Sequence, residues 1–239
     1  MTPLPPPAPV RFRIGRALPF GPNGEPSAID KQPVTHALTL GVNGFEGDEQ
    51  GDRRHHGGPE KALHHYPGEH YTAWRLDLPE APAEAFRSGA FGENLVSAGL
   101  TEANVCIGDV FRLGAARIQV SQARQPCWKL NLRFGIPDMA RRVQDSGRTG
   151  WYYRVLETGE VAAGAVLQLL ERPHPDWPLA RLLFQLYEDP LNLDALAAMA
   201  TLDSLASSWR ELAQRRMDSG RIEDWSQRLT TPAMKARQA

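Results

Sequence analysis

Glycine (21 residues) and proline (20) are scattered along the whole 239-residue chain, with no single low-complexity tract. Each punctuates regular structure, so the spread predicts many short elements joined by tight turns. From Arg11 to about Arg172 strand signals prevail. Val110–Leu113 and Arg117–Val120 alternate apolar and polar positions around Gly114-Ala115-Ala116, as a hairpin does. Trp151–Leu156 and Val161–Leu170, separated by Glu157-Thr158-Gly159-Glu160, read as a second strand pair, and Val34–Leu40 as an earlier strand. Short helices are expected from Pro67 through Trp74, over Ala83–Arg87 and over Pro137–Gln144. A β-barrel or curved sheet with inserted helices fits better than a βαβ alternation.

The pattern changes after Glu171-Arg-Pro-His-Pro-Asp-Trp-Pro178. Leu179, Leu182, Leu183 and Leu186 recur at helical spacing. Leu193, Leu196, Ala197 and Ala200 do so again behind Asn192, a suitable N-cap. Trp209, Leu212 and Ala213, followed by Arg215, Arg216 and Gly220, give a third helix with a favourable end. The expected organisation is a Pro-rich tail over 1–12, a β domain over 13–172 and a three-helix unit over 176–230.

The formal net charge of −1 supplies no global field toward nucleic acid polymers or membranes. No window approaches the ~20 apolar residues of a membrane helix, and the N-terminus lacks the layout of a secretory signal. Two cysteines, Cys106 and Cys127, cannot build a disulfide framework. A reduced cytoplasmic setting is the simplest expectation.

Four polar or Gly-rich stretches exceed what folding demands: Gly44–Gln50, Asp52–Ala62, Phe91–Leu95 and the loop around Cys127. Arg124 and Lys129 flank Cys127, and neighbouring cations favour the thiolate that acts as nucleophile or metal ligand. Spacing alone leaves a small buried apolar residue as the commoner role of a lone cysteine. In the second stretch Arg53, Arg54 and Lys61 surround Gly57-Gly58, the chemistry of an anion cradle, although composition by itself favours a solvated turn. Glu93 and Asn94 suit either a heterocycle edge or a turn. His55, His56, His64, His65 and His70 invite zinc, but their spacing lacks a His-Glu-x-x-His pair.

Taken in order, Gly24–Ile29, Gly44-Phe45-Glu46-Gly47-Asp48, His56–Leu63 with Tyr66, Gly92–Leu95, Gly108-Asp109 and Ser121-Gln122-Ala123-Arg124-Gln125-Pro126-Cys127 resemble the MOSC domain, in its bacterial YiiM-type branch. The tail, with Ser208-Trp209 and Gly220–Asp224, is similar to that branch's three-helix unit. One departure is Ala123, where the family usually has proline. The resemblance implies a MOSC-type β-barrel that binds molybdenum cofactor, with Cys127 as metal ligand. It also implies cofactor contacts from Arg54, His56, Gly57 and Lys61, and from Ser27, Asn94, Ser121 and Arg124. The implied activity is reduction of N-hydroxylated compounds such as 6-N-hydroxylaminopurine, a detoxification fed by a separate reductase, expected to be a flavoprotein. Asp48 and His56 are the candidate proton donors, and a homodimer is left open. The alternatives are a cofactor or sulfur carrier without turnover, and a cofactor-free cysteine hydrolase.

Overall fold

The structure, a computed structural model, describes residues 9–51 and 57–234. The first strands are β1 (Arg11–Ile14), β2 (Leu18–Pro19), β3 (Pro26–Ser27), β4 (Gln32–Val34), β5 (Leu38–Gly41) and β6 (Gly44–Phe45). They are followed by β7 (Leu63–Pro67), β8 (Leu95–Ser97), β9 (Val110–Leu113), β10 (Ala116–Ala123), β11 (Trp151–Glu157), β12 (Gly159–Val161) and β13 (Leu167–Glu171). Eight of them form one curled mixed sheet in the order β13-β9-β10-β11-β7-β8-β1-β4. A bridge between Pro9 and Val166 draws its two sides toward each other. Strands β12, β5 and β6 make a smaller sheet.

The expected hairpin is present, with β9 and β10 antiparallel around Gly114. Two strand expectations need correction. Val34–Leu40 is two strands in different sheets, and β12 pairs with β5 while β13 pairs with β9, so neither is a hairpin partner of β11. Pro67 ends β7, and the helix that follows, α1 (Glu69–Asp77), starts after Gly68. Here the ladder to β8 sets the boundary, because proline at a strand end has no N–H to contribute.

Helices α2 (Lys129–Phe134) and α3 (Met139–Asp145) lie between β10 and β11. After β13 come α4 (Leu179–Tyr187), α5 (Leu193–Thr201), α6 (Ser207–Ser219) and the short α7 (Ser226–Leu229). Asn192 caps α5 through its side-chain oxygen, which accepts from the Ala195 N–H at 3.0 Å. Gly220 closes α6 at φ 61°, the left-handed conformation glycine adopts without steric cost. The apolar core runs without a break from Phe12, Leu40, Ile118 and Trp151 in the sheets to Leu182, Met199 and Trp209 in the helices. The change at residues 171–178 is therefore one of composition and not of packing. No helix among the described residues is long and apolar enough to cross a membrane.

His65, on β7, is fully buried, with Nδ1 3.0 Å from Tyr153 Oη and Nε2 2.9 Å from Ser97 Oγ. Burial lowers its pKa from 6.5 to about 3. Between those values the unfolded chain binds a proton that the folded chain refuses, so stability falls as pH falls. The expected loss is about 1.4 kcal/mol per pH unit from this group. Denaturant midpoints measured from pH 7 to pH 4 should show it, and His65→Asn should have the shallower pH dependence. An unchanged dependence would show that His65 does not carry it.

Candidate functional site

Near its end β10 carries a register irregularity, since Val120 pairs with Tyr153 whereas Gln122 pairs with Tyr152. An extra residue in one strand bends it and re-aims the side chains beyond it. Ala123 continues the ladder opposite Trp151, and the Arg124 N–H donates to the Gly150 carbonyl at 3.0 Å. The extended path thus holds without the family's proline, and the chain turns through Pro126 to put Cys127 just before α2. Gly150 has φ +69°, and a Cβ there would collide with the His65 carbonyl, so only glycine fits this crossing.

Cys127 and Arg124 line one cleft together with Ser27, Lys31, Asp48, Lys61, His64, Asn94, Lys129 and Tyr152. Cys127 is 7% exposed and Arg124 4%. The buried Nη1 of Arg124 meets no acceptor among the described residues. A desolvated guanidinium donor left unmatched is costly unless an anion or other acceptor completes it. Two side chains that share the cleft with it, His64 and Tyr152, are held in their neutral forms. Burial first, then the Arg124 charge, pushes the His64 pKa well below its ordinary value. Burial pushes up the Tyr152 pKa, with Arg124 opposing. His64 Nε2 lies 3.4 Å from the Thr149 carbonyl.

The sequence-derived candidates separate by what they touch. Asp48 lies in the cleft, but every partner its side chain has among the described residues is a donor. Oδ1 accepts from the Gly15 N–H at 2.8 Å and from Lys31, and Oδ2 accepts from Asn94 Nδ2 at 2.8 Å. Both of its oxygens are thus engaged as hydrogen-bond acceptors, which is at odds with the proton-donor role expected of it. Asn94 is similarly engaged. Its Nδ2 also donates to the Arg13 carbonyl at 3.1 Å and its Oδ1 accepts from the His64 N–H at 3.1 Å, so it braces the wall of the cleft. Ser121 is fully buried and its hydroxyl turns to backbone, 2.6 Å from the Glu60 carbonyl and 3.1 Å from that of Tyr152. It ties the 3-10 turn Pro59–Lys61 to β10 and does not line the cleft. Ser27 lines it, its Oγ accepting from the Ile29 N–H at 3.3 Å. Gly57 is not part of the lining, whereas Lys61 is. Arg54 and His56 lie outside the described residues.

Among the polar lining groups, Lys31 and Tyr152 were not singled out from the sequence, whereas His64 was considered only for zinc and Lys129 only as a cation flanking Cys127. Lys129 Nζ donates to the Pro26 carbonyl at 2.6 Å, linking α2 to β3. Tyr152 stands between buried Trp151 and Tyr153, so strand alternation places it on the other face of β11. That parity was the one sequence signal available. Cys106 belongs elsewhere, with its sulfur 3.7 Å from the Pro175 carbonyl. Burial, then Asp109, pushes its pKa up to about 11, so it remains a thiol.

Among the described residues no group of three or more His, Cys, Asp or Glu side chains could hold a metal ion. A metal in the cleft would have to bring other ligands with it and take Cys127 as an added one.

Comparison with known proteins gives two domain matches. The MOSC domain matches residues 52–168, and the YiiM-like, 3-alpha helix domain matches residues 177–220. The chain is 46% identical over 221 residues to Protein YiiM of Escherichia coli (strain K12), spanning 92% of this chain and 97% of that protein. It is 37% identical over 212 residues to a protein named Reductase from Gibberella moniliformis (strain M3125 / FGSC 7600), spanning 88% of this chain and 37% of that one. The crystal structure of YiiM from Escherichia coli matches with a TM-score of 0.81 at 40% identity, over 95% of this chain and 100% of that one.

Proposed function

The chain belongs to the MOSC-domain family, with a YiiM-like helical unit, and on that premise we propose that it is a molybdenum cofactor-dependent reductase of N-hydroxylated compounds. The observation that carries the proposal is the pairing, in one cleft, of Cys127 with the unmatched buried donor of Arg124. A soft thiolate is the ligand type that suits a metal delivered on a sulfur-bearing cofactor. Guanidinium is the donor type that suits its phosphate or other anionic edge. The residues present therefore fit the group.

In this proposal Cys127 is the protein's ligand to the metal. Arg124 and Lys61 hold the anionic part, joined by Arg54 and His56 as the family resemblance implies. Ser27 and Asn94 shape the wall. When bound, the cofactor supplies the two-electron chemistry that cleaves an N–O bond. The protein's remaining task is to orient the substrate and deliver two protons, one to the hydroxyl oxygen that leaves as water and one to the nitrogen that becomes the amine. Asp48, occupied by donors, keeps Lys31 and Asn94 in place. His56 remains the proton-donor candidate. The fungal relative named Reductase supports the oxidoreductase class. A separate flavoprotein reductase is the proposed source of electrons, since the sequence has no Gly-x-Gly-x-x-Gly nucleotide fingerprint and no cysteine-rich iron–sulfur pattern.

The test is an assay of protein made in cells able to synthesise the cofactor, mixed with a flavoprotein reductase, NADH and 6-N-hydroxylaminopurine. Molybdenum-dependent formation of adenine with matching NADH consumption is expected. Molybdenum bound without turnover, despite a competent donor, would favour the carrier function. Substrate consumed by molybdenum-free protein without adenine formation or NADH consumption would favour the hydrolase.

A further inference from the structure

The backbone on either side of Cys127 is gripped by one residue from the far end of the chain. Arg228, on α7, donates from Nη1 to the carbonyl of Pro126, and its own carbonyl accepts the N–H of Trp128 at 2.7 Å. The rest of the guanidinium is anchored in turn, because Nη2 donates to Gln144 Oε1 on α3 at 2.7 Å. The next residue repeats the pattern, with the Leu229 carbonyl accepting from Asn131 Nδ2 at 2.9 Å. Leu229 is buried in the aromatic cluster of Tyr66, Phe91 and Phe134. Trp225, just before α7, meets Tyr187 of α4 edge-on at 5.1 Å.

A loop residue held by hydrogen bonds at both adjacent peptide groups has little freedom to rotate or shift. Here the same residue supplies both bonds, and its charged side chain makes one of them charge-assisted. Burial and the nearby Arg124 charge disfavour the Arg228 cation, while Tyr187 and Cys127 favour it. A cation kept in that setting, with its hydrogen bonds spent on main chain and an anchor, has an orienting geometry.

We propose that Arg228 is a positioning residue for Cys127, so that the C-terminal helix completes the site by fixing the carbonyl before the cysteine and the amide after it. The inference rests on Cys127 being the metal ligand. Groups that orient a ligand without touching the metal typically change metal affinity by about tenfold to 100-fold when removed.

The test compares wild type, Arg228→Gln, Arg228→Lys, Gln144→Leu and Cys127→Ala, all from cofactor-producing cells. Three quantities are read: the apo thermal midpoint, amide hydrogen exchange over residues 127–131, and molybdenum retained per chain through gel filtration. Arg228→Gln is expected to retain about tenfold less molybdenum or worse, and to exchange faster over 127–131 at a nearly unchanged midpoint. Arg228→Lys, which keeps a charged donor for the Pro126 carbonyl, should restore most of both. Gln144→Leu leaves both bonds beside the cysteine and removes only the anchor, so its losses should be clearly smaller than those of Arg228→Gln. Wild-type exchange and molybdenum in Arg228→Gln would overturn the proposal, and so would an equal loss in Gln144→Leu. If Arg228→Gln does not fold, Arg228→Met, which keeps the buried stem, takes its place. Loss of molybdenum in Cys127→Ala but not in Arg228→Gln faults the positioning role alone. Full retention in Cys127→Ala faults the ligand assignment beneath it.

Discussion

Replacing Cys127 by alanine is expected to lower turnover of N-hydroxylated substrates at least about 100-fold, since even groups that only support a ligand cost up to that much. Folding should be little affected. The side chain is small, it lies at the edge of a cleft and not within the main apolar core, and its removal opens only a minor void. The variant should therefore show a thermal midpoint close to that of wild type while losing activity. Arg124→Leu makes the complementary case. It removes the unmatched donor without touching sulfur, so it should weaken cofactor retention while leaving Cys127 in place. Equal turnover in Cys127→Ala and wild type would rule out sulfur ligation as the basis of the activity.

The second large effect is on stability and lies far from the cleft. Arg216 is fully buried in α6, where it pairs with Glu223 at 2.8 Å and donates to the carbonyls of Leu186 at 3.1 Å and Pro190 at 3.3 Å. Arg216→Leu strips the donor from two carbonyls and a carboxylate at once. Breaking a buried pair from one side typically costs about 3–5 kcal/mol. Because the Glu223 side chain is 30% exposed and can regain water, the lower end of about 3 kcal/mol is expected. For a chain of this size that corresponds to a midpoint lowered by roughly 6–12 °C. Glu223→Gln, which keeps a hydrogen-bond acceptor, should cost much less. A midpoint within a degree or two of wild type in Arg216→Leu would contradict this account of the helical unit.

Legibility in the sequence followed the range of the interactions. Helices α4, α5 and α6 repeat apolar residues at three and four, and that local period was sufficient. The same period places Arg216 on the buried face of Trp209, Leu212 and Ala213, although the sequence suggested only a favourable charge at a helix end. The β9–β10 hairpin was equally local. In contrast, the pairing of β12 with β5 and the parallel pairing of β7 with β8 join segments far apart in the chain, where no spacing rule operates. The site divides the same way. Cys127 and Arg124 share one short motif, whereas Lys31, His64 and Tyr152 arrive from three separate segments: the loop before β4, strand β7 and strand β11. Asn94 and Asp48 carried the right residue types but spend their hydrogen bonds on bracing each other and the surrounding chain.

The central claim is that the Cys127 sulfur is bonded to molybdenum in the cleft beside Arg124. X-ray absorption at the molybdenum edge, on wild type and Cys127→Ser purified with cofactor, addresses it directly. One fewer sulfur neighbour around the metal in Cys127→Ser is the expected result. Identical sulfur coordination in the two proteins would contradict the claim.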